Sequence, residues 1–292
     1  MILVTGANGH LGSSTIGFLL KKNPETAIRA LVRSEEKGVA LKAKGVDIAI
    51  GDYFNYDSLL MAMQGVNTLL FVSASSVTGR YQQHENVIKA AKASGIKHIV
   101  YTSILKSSPE SKFTSGIDHV KTEADIKASG IAYTIMGNTY YCDFLPMLLG
   151  NFRETGTIYY SAGNAKINFA SRNDMAEANA VVLSNPSAHR NKVYNITASA
   201  AYTFKDIAAM LSDITGQPVG YIDISPEDLK KGMLQHSLPE DVAEMMTSIA
   251  ASMKAGEFDY ADNTLENLIG HKPLELKDFL QAVYSMPTNK NN

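Results

Sequence analysis

Short apolar runs alternate with longer segments of helical period over the first half of the chain. The apolar runs predict strands at Ile2–Thr5, Ala27–Val32, Val46–Ile50, Thr68–Val72, His98–Thr102 and Ala132–Met136. The segments between them predict helices near Leu11–Lys22, Glu35–Lys44, Tyr56–Met63, Gln82–Ala93 and Asp118–Ala128. This alternation is typical of an α/β fold in which helices cover both faces of a doubly wound parallel sheet.

The regular alternation ends near residue 137. Further helices are predicted near Asn173–Leu183, Phe204–Thr215, Leu238–Met253 and Leu276–Tyr284, and Lys192–Ile196 predicts a strand that returns to the sheet. We therefore expect a main domain of residues 1–136 with the return strand near 190–197. Residues 137–189 and 198–292 are expected to form a smaller, discontinuous and mostly helical substrate lobe, and Thr288–Asn292 a polar tail.

Glycines recur at a fixed spacing between the first strand and the first helix, in the segment Thr5-Gly6-Ala7-Asn8-Gly9-His10-Leu11-Gly12. Gly6 permits a tight turn, Gly9 leaves room for a pyrophosphate, and Gly12 allows close packing of the helix. The amides of Asn8, His10 and Leu11 then point toward the anion at the helix start. Alone the spacing is also compatible with an ordinary turn. After a strand it predicts a Rossmann-type dinucleotide site.

Composition restricts the possible partners. The 27 Lys+Arg and 29 Asp+Glu give a net charge of -2, which gives no support for binding to nucleic acid or to an anionic membrane. The first strand begins directly after Met1 and no apolar run approaches the ~20 residues of a membrane span, so a cytoplasmic protein is expected. Cys142 is the only cysteine, which excludes intramolecular disulfides and thiolate-rich zinc sites. No metal is expected.

The end of the second strand bears on the choice of cofactor. Arg33 stands about 20 residues past the glycine loop, where a site that prefers NAD places a carboxylate on the ribose. A guanidinium there, with Ser34 beside it and Lys37 one turn on, suits a 2′-phosphate. NADP(H) is therefore predicted over NAD(H). The alternative is that Arg33 is a solvated surface charge.

The third strand leads into Asp52 and Tyr53, which could bind and cover adenine. Asp52 could equally cap the next helix, although Asp57 is better placed to cap it.

The fourth and fifth strands also end in small polar residues. Ser73, Ala74 and Ser75 follow the fourth strand, where small side chains let a flat ligand approach the backbone, or where the chain forms a plain loop. Thr102 and Ser103 end the fifth strand, and their hydroxyls could reach a nicotinamide or a substrate carbonyl.

Together these segments, with Ser129-Gly130-Ile131-Ala132-Tyr133-Thr134, resemble the atypical short-chain dehydrogenase/reductase superfamily and its NmrA-like branch. Within that branch the chain is similar to bacterial NAD(P)H:quinone oxidoreductases and triphenylmethane reductases. The similar segments are Ala90–Gly95, Asn138–Tyr141, and Gly163–Ile167 followed by Ser171–Ala176. The likeness spans nearly the whole chain.

The resemblance implies functional residues and one departure. Lys121 matches the superfamily lysine that holds the ribose, but Ile117 stands where the acidic tyrosine is expected. Proton donation then falls to Tyr140 or His119, although Lys121 could be a solvated lysine and His119 a core imidazole. Asn138 matches the residue facing the nicotinamide, and Gly137 replaces an arginine frequent in relatives.

These features lead to a functional hypothesis. The loss of the tyrosine favours an NADPH-dependent reductase that transfers hydride to a flat, electron-poor acceptor such as a quinone. Tyr140, Tyr141 and Phe144 could form an aromatic wall for that acceptor, or belong to the core. The alternatives are an NADP-binding redox sensor without catalysis and, less well supported, a nucleotide-sugar epimerase. A monomer or a homodimer is expected.

Overall fold

Parallel strands form the centre of the fold in the computed structural model, which describes residues 1–285. The strands are β1 (Ile2–Val4), β2 (Ile28–Val32), β3 (Asp47–Ile50), β4 (Thr68–Phe71), β5 (His98–Ile104), β6 (Ala132–Asn138), β7 (Tyr140–Tyr141), β8 (Thr157–Tyr160), β9 (Ile167–Ala170), β10 (Lys192–Ile196), β11 (Ala201–Tyr202) and β12 (Gly220–Asp223). The predicted polar tail Thr288–Asn292 lies outside the described residues.

The helices follow the strands in the alternation that the sequence predicts. They are α1 (His10–Lys22), α2 (Glu35–Lys42), α3 (Tyr56–Ala62), α4 (Arg80–Ala93), α5 (Gly116–Ala128), α6 (Leu145–Leu148), α7 (Phe152–Thr155), α8 (Arg172–Ser184), α9 (Phe204–Thr215), α10 (Pro226–Gln235), α11 (Glu240–Lys254), α12 (Thr264–Ile269) and α13 (Leu276–Tyr284). Short 3₁₀ turns cover Cys142–Phe144 and Pro186–His189. No helix within residues 1–285 combines the length and the apolar character that a membrane crossing requires.

Seven strands form one parallel sheet in the order β10-β6-β5-β4-β1-β2-β3. Every residue of β1 and β4 is buried, which explains why these strands appear in the sequence as unbroken apolar runs. The strand order reverses between β1 and β4, which is the topological switch point of a doubly wound sheet. The predicted Rossmann-type α/β fold is confirmed, and the carboxyl ends of β1 to β6 lie along one edge.

Contacts divide the chain into two units. Unit 1 contains Met1–Pro109, Ser115–Asn138 and Arg172–Ile196, which include the seven-stranded sheet and α1 to α5. Unit 2 contains Glu110–Thr114, Thr139–Ser171 and the residues described from Thr197 onward. It holds a three-stranded sheet in the order β11-β9-β7 and the parallel pair β12-β8, none of which the sequence predicted.

Two boundaries differ from the sequence-based division. Helix α8 was assigned to the substrate lobe, but it belongs to unit 1 because it packs along α1. Residues 110–114 were assigned to the main domain, but they belong to unit 2. There the Glu257 carboxylate accepts hydrogen bonds from the Ser111 hydroxyl and the Lys112 amide, both at 2.6 Å.

Candidate active site

The glycine loop joins β1 to α1, and at Gly6 and Gly12 it leaves almost no room for a side chain. Gly6 has φ +59°, and a Cβ placed on it would lie 3.0 Å from the Cβ of Val72. A Cβ on Gly12 would lie 2.4 Å from the carbonyl oxygen of Gly6. Gly9 is the N-cap of α1 and supplies no side-chain cap, and the first helical turn carries no acidic residue. The start of α1 therefore suits a phosphate group.

Asn8 links this loop to the helix that follows β2. Its side-chain amide donates a hydrogen bond to the backbone carbonyl of Lys37. The side chains of Arg33, directly after β2, and of Lys37, in the first turn of α2, are exposed. Ser34 is the N-cap of α2 and accepts a hydrogen bond from the amide of Lys37 at 3.4 Å. Its hydroxyl therefore has a structural role in addition to the predicted one.

The loop after β3 turns its first aromatic ring inward. The Tyr53 hydroxyl lies within hydrogen-bonding distance of Thr5 Oγ1 and of the Val72 carbonyl oxygen (2.8 Å), and its ring packs edge-on against Phe71 at 5.8 Å. Burial raises the pKa of Tyr53 well above its usual value. Tyr53 was predicted to cover the adenine, but both its ring and its hydroxyl contact the core of unit 1.

Phe54, the residue after Tyr53, has an exposed side chain, and sequence reasoning did not identify it as a candidate. Asp52 Oδ1 accepts a hydrogen bond from the Phe54 amide at 2.8 Å, and the Phe54 side chain is 57% exposed. The Phe54 ring lies beside Gly79, where an added Cβ would meet it at 3.1 Å. Asn55 caps α3 by accepting from the Ser58 amide at 3.0 Å, so the predicted cap at Asp57 is wrong.

The loop after β4 is held by hydrogen bonds from buried side chains. The amide of Ser73 donates to Thr102 Oγ1 at 2.9 Å, so that hydroxyl joins β5 to the loop. Ser73 and Ala74 are half-buried and Ser75 is exposed. This loop stands at the carboxyl edge beside β1, next to the glycine loop.

The Ser103 hydroxyl points into the protein. It is buried and donates to Glu123 Oε1 at 2.6 Å, an acceptor that it shares with the Ser107 hydroxyl at 2.7 Å. The prediction that the hydroxyls of Thr102 and Ser103 reach a nicotinamide or substrate carbonyl is not supported by these contacts. Both hydroxyls fasten the end of β5 to its neighbours.

Helix α5 separates the candidate catalytic residues onto different faces. Ile117 and Lys121 are exposed, and the Lys121 ammonium lies 5.2 Å from the centre of the Tyr81 ring. The face toward the sheet carries His119, Thr122 and Glu123, all buried. Lys121 is therefore exposed and packs over the Tyr81 ring, and its contact with a ribose stays a prediction.

His119 is a buried acceptor of hydrogen bonds. Arg80 Nη2 donates to its Nε2 at 2.8 Å, and its Nδ1 lies 2.8 Å from the Tyr101 hydroxyl. Burial and the charge of Arg80 lower the pKa of His119 well below its usual value. These contacts do not support His119 as a proton donor, because the ring is neutral and its Nε2 already accepts a hydrogen bond from Arg80.

Asn138 ends β6 beside the end of β5. It is 3% exposed, and its carbonyl accepts from the Leu105 amide at 2.8 Å. A Cβ on Gly137 would lie 3.1 Å from the carbonyl oxygens of both Ile104 and Tyr194. A side chain at this position would therefore require the neighbouring backbone to shift by a few tenths of an ångström, which is consistent with glycine in place of an arginine.

Tyr140 lies in an aromatic cluster within unit 2. Its ring meets Phe169 and Phe258 edge-on at 6.1 and 5.8 Å, and Phe144 at 6.0 Å. Burial raises the pKa of the Tyr140 phenol well above its usual value, so it is a weak proton donor. Tyr141 is half-buried and lies 5.9 Å from Phe144, which is 37% exposed. The structure brings the three aromatic residues together, with Tyr140 on the inner side.

Known proteins resemble this arrangement over its full length. The model of the NmrA-like family matches residues 1–284. The chain belongs to the NmrA-like family. Quinone oxidoreductase 2 of Escherichia coli is 37% identical over 287 residues, which cover 98% of this chain and 99% of the relative. The predicted membership of the NmrA-like family, and the likeness to bacterial quinone oxidoreductases within it, are therefore confirmed.

Solved structures extend the likeness to three dimensions. The NADPH-dependent quinone oxidoreductase of Escherichia coli, complexed with NADPH, superposes with a TM-score of 0.91 at 36% identity and covers 97% of this chain and 100% of its own. The Citrobacter sp. triphenylmethane reductase complexed with NADP(H) gives 0.90 at 36% identity, with coverages of 98% and 100%. These relatives place the NmrA-like chain among the NAD(P)H-dependent oxidoreductases, as the sequence predicts.

Proposed function

We propose that the protein is an NADPH-dependent reductase that delivers hydride to a flat, electron-poor acceptor such as a quinone. The observation that carries this proposal is that α5 has no suitable proton donor at positions 117 and 119. Ile117 occupies the position of the superfamily phenol, and His119 is neutral and accepts a hydrogen bond from Arg80. Neither residue can protonate a poor acceptor, which favours an acceptor that takes up hydride without an acid from the protein.

The chemistry requires little from the side chains beyond placement. When bound, the reduced nicotinamide supplies a hydride, and a quinone that gains this hydride and one proton from water becomes a hydroquinone. Fixed orientation of two reactants can contribute roughly 7–11 kcal/mol of barrier reduction. The rigid, buried anchoring of β4, β5 and β6 at the carboxyl edge supports such a role for unit 1.

The preference for NADPH rests on two exposed cations. Arg33 and Lys37 lie beside the glycine loop, and Asn8 ties the backbone of Lys37 to that loop. A planar guanidinium can hold a 2′-phosphate through two parallel hydrogen bonds. The structures of an NADPH complex and an NADP(H) complex among the relatives agree with this preference.

Adenine recognition is assigned to Asp52 and Phe54. The Phe54 ring is exposed at the carboxyl end of β3, while the Tyr53 ring is packed inward. An exposed ring of this kind can cover a purine face. Phe54 therefore replaces Tyr53 as the aromatic partner of the adenine in this proposal.

The aromatic cluster of unit 2 suits a flat acceptor. Phe144 and Tyr141 offer ring faces that are partly open to solvent, and Tyr140 supports Phe144 from within. The raised pKa of Tyr140 argues for this supporting role rather than for acid catalysis.

Product analysis tests the proposal. Purified protein is supplied with limiting NADPH and a panel of benzoquinones and naphthoquinones, and the hydroquinone formed is measured by chromatography. We expect one hydroquinone for each NADPH consumed. Tight NADPH binding without hydroquinone formation from any quinone would reject the reductase and favour the redox sensor.

A further inference from the structure

The backbone of Ala74, in the loop after β4, is held at both of its polar atoms by buried side chains of α4. The Ala74 amide donates to His84 Nε2 at 2.9 Å, and its carbonyl accepts from Arg80 Nε at 2.7 Å. His84 is 0% exposed and Arg80 is 6% exposed. Loops at a sheet edge are ordinarily among the more mobile parts of a protein. These two bonds anchor the backbone of this loop at Ala74.

The hydrogen bonds determine the state of the imidazole. Because His84 Nε2 accepts from Ala74, the ring proton lies on Nδ1 and is donated to Thr122 Oγ1 at 2.8 Å. The Thr122 hydroxyl in turn donates to the carbonyl of Asp118 at 2.6 Å. Burial, followed by the charge of Arg80, lowers the pKa of His84 to about 3. The ring is therefore neutral near pH 7, and Nε2 is available as an acceptor.

Arg80 extends the same network to α5. Besides the Ala74 carbonyl, it donates to the Ser115 carbonyl at 3.0 Å and to His119 Nε2 at 2.8 Å. The Asp118 carboxylate lies 4.0 Å away. A buried guanidinium that bonds to three partners in two separate segments is costly to move, because moving it would leave several polar groups without partners.

The position of the loop indicates which part of the cofactor is affected. Strand β4 lies beside β1 at the switch point, on the side opposite β2 and β3. In a doubly wound sheet the adenosine half of a dinucleotide lies toward β2 and β3, and the other half lies toward β4 and β5. The loop that begins with Ser73 thus belongs to the nicotinamide half.

We infer that Arg80 and His84 are positioning residues that hold the Ser73–Ser75 backbone in the conformation that receives the nicotinamide half of the cofactor. This inference rests on the proposed function. Neither residue touches the cofactor, and both act through the peptide groups of Ala74. Spacing along the chain gives no signal of a histidine's long-range partners, so the role of His84 follows only from its contacts in the structure.

A matched pair of substitutions separates the two hydrogen bonds of His84. His84→Gln places an amide oxygen where Nε2 accepts from Ala74, whereas His84→Asn places an amide nitrogen where Nδ1 donates to Thr122. The dissociation constants of NADPH and of 2′,5′-ADP, which lacks the nicotinamide half, are measured for wild type and both variants by calorimetry. We expect His84→Asn to weaken NADPH about tenfold and to leave 2′,5′-ADP unchanged. His84→Gln should stay within about twofold of wild type for both ligands.

Each other outcome overturns the inference or the function on which it rests. Equal weakening of both ligands by His84→Asn would indicate general loosening of unit 1, and equal effects of the Asn and Gln variants would show that the Ala74 bond is irrelevant. An unchanged NADPH affinity in His84→Asn also contradicts the inference. If His84→Asn folds poorly, Arg80→Lys, which retains the charge, takes its place in the test. It should likewise weaken NADPH and leave 2′,5′-ADP unchanged. A wild-type protein that binds neither ligand would instead reject the proposed function.

Discussion

A Cβ atom on Gly12 would lie 2.4 Å from the carbonyl oxygen of Gly6, closer than two such atoms can approach. The start of α1 can therefore approach the turn after β1 only with glycine at position 12. The conformation of the phosphate-binding loop depends on this contact. Gly17, in the same helix, has no atom within 4 Å of an added Cβ.

This contrast predicts the effect of two alanine substitutions in α1. Gly12→Ala should abolish measurable NADPH binding, because the loop must shift away from its phosphate-binding conformation. Gly17→Ala should leave binding intact and raise stability by up to about 1 kcal/mol, since alanine is the better helix former. Fluorescence titration with NADPH and thermal melts check both. Full binding by Gly12→Ala would argue against a phosphate site at this loop.

Arg33 determines the predicted preference for NADPH. Arg33→Glu should weaken NADPH by about tenfold or more, because a carboxylate would repel the 2′-phosphate that we propose the guanidinium binds. The same variant should bind NADH as well as wild type or better, since a carboxylate can accept from the ribose hydroxyls. Ratios of kcat/KM for the two cofactors measure this. Equal losses for both would show that Arg33 does not contact the phosphate.

Phe54 and Tyr53 should respond differently to truncation. Phe54→Ala removes an exposed ring and should weaken NADPH and 2′,5′-ADP to the same extent, by about tenfold, with little change in stability. Tyr53→Phe removes the hydroxyl bonded to Thr5 and Val72, so it should lower the melting temperature. Thermal melts and the affinities of both ligands are the measurements. Unchanged affinity for 2′,5′-ADP in Phe54→Ala would remove this residue from the adenine site.

Much of the fold follows from the sequence because the central strands of unit 1, β1, β4 and β5, are buried along almost their whole length. Apolar runs such as Thr68–Val72 therefore predicted them to within a few residues, and the return strand Lys192–Ile196 was predicted with its observed bounds. The small sheets of unit 2 were missed since β7 and β11 are two residues long. Strands so short leave no periodic pattern.

The candidate site was less predictable because its contacts join distant parts of the chain. Spacing located Gly12 and Arg33 correctly at the carboxyl edge. It could not show that the Tyr53 hydroxyl bonds to Thr5, 48 residues away, or that Arg80 reaches His119, 39 residues away. Lys121 was selected by family spacing alone, which could not show that its ammonium lies 5.2 Å from the centre of the Tyr81 ring.

Buried histidines predict a loss of stability in acid. Burial lowers the pKa of His84 to about 3 and that of His98 to about 4, whereas a histidine in the unfolded chain has a pKa of about 6.5. Below that value the unfolded chain binds more protons than the folded one, so stability falls as the pH falls. Between its folded and unfolded pKa values, each histidine lowers the free energy of unfolding by about 1.4 kcal/mol for every unit by which the pH falls.

Urea unfolding of wild type and His84→Gln checks this slope. Between about pH 7 and about pH 5 the variant, which lacks one of the titrating rings, should lose about 2 kcal/mol less free energy of unfolding than wild type. The same loss in both proteins would mean that His84 is not buried in its neutral form.

We propose that NADPH bound to this protein passes hydride to a quinone. Stopped-flow mixing of NADPH-loaded protein with excess benzoquinone, followed at the absorbance of reduced nicotinamide, measures this step directly. We expect rapid single-turnover oxidation by wild type, which Gly12→Ala loses and Gly17→Ala retains. Oxidation no faster than that of free NADPH in buffer, despite full occupancy, would contradict it.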